Sequence, residues 1–550
     1  MILTVRGWPK RRGDTLESGD RQGATIAQAD LVQAALQYNI VDRIDVLIDD
    51  SSLPVRSQHA AGAIEDGVGG ELVRQFGRAR VRIISAQNLD TSVKKKDCIF
   101  LGAGPELLNL AMARSYLPFA APICSLLHAV RWDSLFSNYN QILGFCEPQD
   151  ALVATSHAGR KAVELILGES RQNVARQCGR DFKGNHPGLM IKQIPLGVDE
   201  NVFSPHSQQE ARQKFGIPLE ATVLLYLGRL TERFKADLEP LIIAVSQLVK
   251  SGEAGPICLV LSGQDIRQTY VGFLEELASL FGISQYVKII PNITPNMKSL
   301  VYAAADIFVS PVDNIQETFG LTLLEAMASG LPVVASDWSG YKDIVRDGKD
   351  GFLIPTYWNP CAAQESGWLD GLMMTNCEHY LAQRTVTDTH VLCDRLSLLV
   401  QNRDLRQKLG RAARQRVLDH FTWRSVVSRF GELWKEQIQV SRDDSRVVSA
   451  QKRRRALFDT NSIFRHYAAG EFTDSQIIRV NNNILDHNDI LKKRLQLLPN
   501  DLLAAEIHKI IAICTRSRRT ARSLMEHGSS MTRDAILWAL KKGFCYISST

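Results

Sequence analysis

The sequence predicts an α/β protein in which two doubly wound, Rossmann-like domains stand in tandem ahead of a helical extension. Three observations carry this expectation. At 550 residues the chain is too long for one compact core. Short β-branched runs alternate with helical patterns, the mark of parallel strands joined by crossover helices. The alternation breaks once, at 201–221, and gives way after 440 to helix-rich sequence.

In the first domain, 1–200, ILTV (2–5) precedes a polar loop and the helix-like ATIAQADLVQAAL (24–36). RIDVLI, VRIISA, CIFLGA, PICSLLHA, DALVATS and LMIKQIPL then recur, with amphipathic stretches between most of them. NVFSPHSQQEARQKFGIPLEA (201–221) is polar and holds two prolines, so it reads as the interdomain hinge. TVLLYLG, ICLVLSG, VKIIP, DIFVSP, PVVASD and GFLIP restore the alternation, and closing helices extend this second domain over 222–440. Tandem domains of this kind leave a cleft at the carboxyl ends of their strands, where open α/β sheets bind ligands. Residues 361–385 lose periodicity and form a long loop.

Composition is that of an ordinary globular protein, with 45% apolar and 23% charged residues, which excludes disordered and fibrous classes. A net charge of +6 suits an anionic substrate or a membrane surface without demanding nucleic acid. The ten cysteines are scattered, with no CxxC pair, so no zinc site is expected and buried thiols in a reducing compartment are. MILTVRGWPKRRGD has only a four-residue apolar run and is not expected to be a signal peptide, and no stretch reaches the roughly 18 apolar residues of a membrane span. The expected location is the cytoplasm.

The densest chemistry lies in VSPVDNIQETFGLTLLEAMASGLPVVASDWSGYKDIV (309–345). A strand ends near Pro311, a polar loop follows, and Gly320 sits at the mouth of a helix over about 321–329. A glycine there lets a ligand approach the backbone, and the free amides of the first turn bind phosphate. Glu317 lies in the loop and Glu325 inside the helix, so the two carboxylates can serve different parts of one extended ligand. Upstream, LLYLGRLTERFKADLEPLI (224–242) is strand, glycine turn and helix, with Arg229 and Lys235 flanking the turn. A planar fork and a point charge at a strand's carboxyl end suit a diphosphate without a metal. No Asp-x-Asp pair stands in a suitable context to hold one.

These features together resemble the family-4 retaining glycosyltransferases (glycosyl transferases group 1) with the two-domain B-type (GT-B) fold. Pro195-Leu-Gly-Val-Asp199 with Phe203, DALVATSHAG (150–159), Gly263 after a buried strand, and LDHFTW fall in the matching order. The strings DNIQETFGLT and SDWSGYKD are similar to one bacterial branch of the family. The resemblance implies that Arg229 and Lys235 bind the phosphates of a nucleotide-sugar donor, helped by backbone amides at Phe319, Gly320 and Leu321. Glu317 would then hold hydroxyls of the transferred sugar, Glu325 the ribose, and His128 would reach the sugar across the cleft. Gly263 and Gly23 would also contact the donor, Gly23 from the position immediately before a helix. Retention would follow from the leaving phosphate accepting the acceptor's proton, with no protein nucleophile, no cofactor and no metal. Partners implied are the donor and a glycan, glycolipid or peptide acceptor; a peripheral membrane contact and a homodimer are compatible, and nucleic acid is not expected.

Duller readings stand beside these. Glu317 would be a solvated loop carboxylate, Glu325 a helix-surface residue, and His128 a core histidine. Arg131 and Asp133 would touch an acceptor or nothing, Trp338 and Tyr341 would shape the cleft rim, and Lys94-Lys95-Lys96 is a solvated turn. In the extension (441–550), the order of helix, basic turn RSRR (516–519), two helices and GFCYI resembles winged-helix modules, including small ones that grip leader peptides. The alternative function is therefore recruitment of a peptide or nucleic acid by this module; its plain reading is a packing or dimer-forming appendage. A phosphorylase on the same plan would need a pyridoxal-phosphate lysine, for which no context is evident.

Overall fold

A computed structural model describes residues 1–6, 22–48, 68–85, 89–93, 97–104, 107–115, 117–130, 135–178, 189–252, 255–265, 270–360, 377–443, 472–481, 488–496, 501–526, 528–529, 531–542 and 544–548. Gly19, Arg131, Asp133, the Lys94–Lys96 run, QKRRR and most of the 361–385 loop lie outside the described residues. The chain divides into two compact units: Met1–Leu47, Phe76–Ile84 and Leu89–Ala450 form one, and Ile48–Gln75, Ser85–Asn88 and Gln451–Thr550 the other.

The first unit holds both expected α/β sheets. Strands β1 (Ile2–Arg6), β2 (Arg43–Ile48), β3 (Val81–Ser85), β4 (Cys98–Ala103), β5 (Ile123–Leu127), β6 (Ala151–Ala154) and β7 (Met190–Gln193) lie in the order β3-β2-β1-β4-β5-β6-β7. Strands β8 (Thr222–Leu227), β9 (Ile257–Gly263), β10 (Val287–Pro291), β11 (Ile307–Ser310), β12 (Val333–Ser336) and β13 (Gly351–Ile354) form a second sheet, β10-β9-β8-β11-β12-β13. The second sheet is parallel throughout. Its strands read as continuous apolar runs because helices cover both faces; every residue of β9 is buried. The order reverses between β1 and β4 and again between β8 and β11, and such switch points are where open α/β sheets bind ligands. A short antiparallel pair, β14 (Thr356–Trp358) with β15 (Thr385–Thr387), follows β13.

Two boundaries differ from expectation. Residues 201–221 are not a free hinge, since they carry the Gln208–Phe215 helix, capped by Ser207 and by left-handed Gly216. Buried Arg212 ties that helix to the second domain, donating to the Ala304 carbonyl at 3.0 Å and to Asp306 at 2.6 Å. The polar letters that suggested a linker are the outer face of this helix.

The last closing helix, Trp423–Asp443, belongs with the first sheet instead of the second. Gln437 Nε2 donates to the carbonyls of Ile123 and Gln149, both at 2.9 Å, and Ser441 donates to Ala120. Gly431 rests against Ile40, and Arg424 stacks over Tyr38. Fully buried Phe430 and Trp434 complete the apolar face that draws the helix back.

The second unit contains more sheet than a helical extension implies. Strands β16 (Ile477–Val480), β17 (Arg519–Thr520) and β18 (Cys545–Ser548) pair antiparallel in the order β17-β16-β18. The helices Asp501–Arg516, Ala521–Glu526 and Thr532–Lys541 come where the sequence placed them, with β17 at the basic turn. Ile478, Ile507, Ile510, Ala535, Ile536 and Phe544 form its core. No helix among the described residues is long and apolar enough to cross a membrane.

Gln437→Leu keeps the shape of that side chain but strands two buried carbonyls, so it should lower stability by about 2–4 kcal/mol in urea titration. A loss under 0.5 kcal/mol (roughly what a neutral surface change costs) would show that the two carbonyls find other partners.

Candidate functional site

Arg229, Lys235, Glu317, Gly263 and Gly320 lie around the second sheet's switch point. Gly228, Arg229 and Lys235 follow β8, and the loop bearing Glu317 follows the neighbouring strand β11. The carboxyl ends of β8 and β9 approach so closely that a Cβ on Gly263 would lie 1.6 Å from the Gly228 carbonyl oxygen. Gly263 also has φ +145°. Packing alone therefore dictates this glycine, before any donor contact is considered.

Lys235 and Glu317 form an ion pair, with side chains 16% and 13% exposed. Asn314 Nδ2 donates to the Arg233 carbonyl at 2.7 Å, a second tie between the two loops. Arg229 Nη2 donates to the Phe234 carbonyl at 3.0 Å, and the Tyr226 hydroxyl donates to the Arg229 carbonyl at 3.3 Å. Both cations thus sit on one loop folded back over the end of β8.

Gly320 is the N-cap of the Leu321–Ala328 helix at φ +114°, and no side chain caps that end. A Cβ there would come within 2.4 Å of the Tyr341 ring, so a second packing constraint falls on a glycine of the motif. Tyr341 is fully buried and its hydroxyl pairs with Ser310 at 2.8 Å. The Phe319 side chain is buried, leaving only its backbone, with that of Gly320 and Leu321, to serve a ligand. The Phe319 amide lies 3.4 Å from Glu317 Oε1.

Glu325 is neither a helix-surface residue nor in contact with Glu317 in the structure. It is 3% exposed, its Oε2 accepts from the Tyr302 hydroxyl at 2.8 Å, and it pairs with Lys298. Lys298 in turn lies 5.8 Å from the Phe203 ring centroid.

His128 follows β5 of the first sheet, and the Thr318 hydroxyl donates to its carbonyl at 2.7 Å. The histidine is thereby brought against the Glu317 turn from the other domain. Part of the residue is exposed, but Nε2 is shielded from solvent and has no partner. Burial pushes the imidazole down to about 4, so the ring is neutral at physiological pH. Gly23 lies in the first turn of the Gln22–Gln37 helix, which starts two residues earlier than its apolar periodicity suggested.

Two residues, Thr318 and Asp313, escaped sequence reasoning, and Trp338 was expected only to shape the cleft rim. Thr318 stands inside the Glu-Thr-Phe-Gly string, and only its cross-domain contact distinguishes it. Trp338 Nε1 donates to the Asn314 carbonyl at 3.0 Å, the same oxygen that receives the Glu317 amide at 3.2 Å. Asp313, three residues beyond β11, is 8% exposed and its Oδ1 has no partner. A carboxylate just past a strand's carboxyl end was the available signal for it. Burial, then repulsion from Asp237, pushes its carboxyl up to about 7.

A carboxyl raised in the fold binds its proton more tightly there than in the unfolded chain. Its contribution is present below the unfolded value near 3.8 and is lost as pH rises through about 7. Asp313→Asn, which cannot ionise, should therefore gain roughly 2–3 kcal/mol more over wild type at pH 8 than at pH 5 in paired denaturant titrations. Equal gains at both pH values would mean Asp313 is already ionised in the fold.

Residues 207–366 match the family model described as Glycosyl transferases group 1. The D-inositol 3-phosphate glycosyltransferase of Nocardiopsis dassonvillei is 34% identical over 247 residues, 42% of this chain and 55% of that protein. The protein of the same name from Corynebacterium urealyticum is 35% identical over 215 residues, 38% of this chain and 48% of that protein. The chain spans about half the length of the curated relatives it matches. Among solved structures, Anabaena Alr3699/HepE in complex with UDP and glucose superposes with TM-score 0.52 at 18% identity, covering 79% of this chain and 100% of that one. Sucrose-phosphate synthase from Thermosynechococcus elongatus gives 0.51 at 16% identity, covering 80% and 99%. These likenesses show the two-domain GT-B fold.

Proposed function

We propose, from a match to group 1 glycosyl transferases that spans the second sheet and from the site built there, that this chain transfers a sugar from a nucleotide-sugar donor with retention. The observation that carries the reading is the Lys235–Glu317 pair bridging the β8 and β11 loops at the switch point, with Arg229 on the same loop. Before the donor binds, each charge satisfies the other. A donor can replace that pairing with two better-matched ones: its diphosphate takes Lys235 and Arg229, and its sugar hydroxyls donate to Glu317.

In this reading the bond between the anomeric carbon and the diphosphate oxygen breaks, and the electron pair leaves with the diphosphate. The acceptor hydroxyl oxygen bonds the anomeric carbon on the same face, and its proton passes to the departing phosphate oxygen. Arg229, Lys235 and the amides at Phe319, Gly320 and Leu321 stabilise the charge that develops there. Neutral His128, with one unpartnered nitrogen, is suited to exchange a hydrogen bond with a sugar hydroxyl. Glu325 would hold the ribose through Oε1, since Lys298 and Tyr302 occupy Oε2. The cations do the neutralising, so the reading assigns no metal. Acceptors in keeping with it are a glycan, a glycolipid or a peptide, used in the cytoplasm or at the inner face of the membrane. Relatives named as D-inositol 3-phosphate glycosyltransferases, and a structural neighbour holding UDP and glucose, favour this class.

The recruitment reading of the C-terminal unit draws on the edge strand β18, where Tyr546 and Ile547 are each 46% exposed. It adds to the transferase reading without replacing it.

A thermal-shift screen with UDP-, GDP- and ADP-sugars should give one ligand that raises Tm, because binding stabilises only the folded form. Glu317→Gln should then cut donor hydrolysis and transfer by about 100-fold or more, and Lys235→Met should do likewise. A protein that neither binds nor hydrolyses any of these donors, or a Glu317→Ala variant with full transfer, would falsify the reading.

A further inference from the structure

The turn carrying Glu317 is pinned within its own domain from one side. A Cβ on Gly340 would lie 2.2 Å from the Thr318 carbonyl oxygen, and the Tyr341 ring fills the space beside Gly320. The other side of the turn faces the first domain, and there Thr318 makes the contact. Its hydroxyl donates to the His128 carbonyl at 2.7 Å, and its Cβ would lie 3.7 Å from a Cβ added at Gly159, in the first turn of the His157–Cys178 helix. Thr318 is only 4% exposed, so the donor end of that part-buried hydrogen bond is drawn out of water.

A second polar contact lies on the same side. Asp343 Oδ2 accepts from the His157 amide at 2.5 Å and from Gln193 Nε2 at 3.2 Å, placing a carboxylate on the positive end of a 22-residue helix. The Lys192–Glu436 pair also joins distant parts of the chain, but its side chains are 39% and 48% exposed, and exposed pairs hold weakly. Buried Thr318 is the better-placed latch.

We propose that Thr318 is a positioning residue for the transfer reaction: its hydroxyl, by holding the His128 carbonyl, latches the end of β5 over the Glu317 turn, with Asp343 at the His157–Cys178 helix as the second half of the latch. This rests on the transferase reading for its kinetic consequence and on the described contacts alone for its mechanical one. One hydrogen bond contributes about 1 kcal/mol, a roughly fivefold bias between latched and unlatched arrangements. That is enough to order the cleft and weak enough to release it at each turnover. Thr318 touches no reacting atom; it acts through where it puts His128.

Hydrogen exchange by mass spectrometry on the full chain without nucleotide sugar tests the mechanical arm. Thr318→Val, which keeps the shape and removes the hydroxyl, should speed exchange in peptides covering His157–Arg160 as well as those covering 317–320. Thr318→Ser should exchange like wild type. Gly159→Leu, a wedge inserted from the opposite domain, should open the same peptides without altering any donor-binding residue. Exchange unchanged at His157–Arg160 in both Thr318→Val and Gly159→Leu overturns the latch.

The kinetic arm uses whichever of UDP-, GDP- or ADP-glucose the wild type hydrolyses. Thr318→Val should lower kcat about five- to tenfold with KM changed less than twofold, and Thr318→Ser should restore it. Wild-type kcat in Thr318→Val overturns the positioning role. If the wild type uses none of these donors, the transferase reading fails separately, and the exchange measurements still decide the latch.

Discussion

The site depends on one ion pair, Lys235 with Glu317, joining the loops that leave two adjacent parallel strands on either side of the switch point. Half-buried pairs of this kind contribute little net stability, because desolvation offsets most of the attraction. Its importance lies in placement. The pair fixes two loops that share no sequence neighbourhood, 82 residues apart, in one geometry before a ligand arrives. Two packing constraints support it from beneath. Gly263 lets the ends of β8 and β9 touch, and Gly320 lets Tyr341 seat against the helix mouth. A side chain at either glycine would move one of the loops that the ion pair spans.

Opposite charge is kept near those cations. Asp313 and Asp237 lie in the same two loops, and burial raises both carboxyls above their ordinary range. A carboxyl raised by burial holds its proton more readily than an exposed one, so each competes less with an incoming anion for Lys235 and Arg229.

Much of this was legible in the chain. Apolar β-branched runs located every strand of both large sheets: the central strands are buried on two faces, and the half-buried edge strands β7 and β10 keep enough apolar residues to show. Gly228, Arg229, Lys235, Glu317 and Gly320 could be assembled from strand-turn-helix order, since the switch-point rule brings loop ends together irrespective of sequence distance. Other features were not visible. The helix Gln208–Phe215 looked like a linker because its exposed face is polar and its buried face is small, chiefly Ala211 and the stem of Arg212. Glu325 resembled a ligand contact, and no local pattern announces that Lys298 and Tyr302, more than twenty residues earlier, already hold one of its oxygens. Thr318 and the return of Trp423–Asp443 depend on contacts between distant segments, to which periodicity is blind.

That return has a consequence for how the protein is made. Gln437 completes carbonyls at Ile123 and Gln149, positions 314 and 288 residues earlier in the chain. During synthesis the first sheet emerges long before the helix that seals it, and the whole second sheet must be built in the interval. The first domain therefore cannot finish as it leaves the ribosome, because its native core includes Phe430 and Trp434 and is complete only when the last turns of that helix arrive.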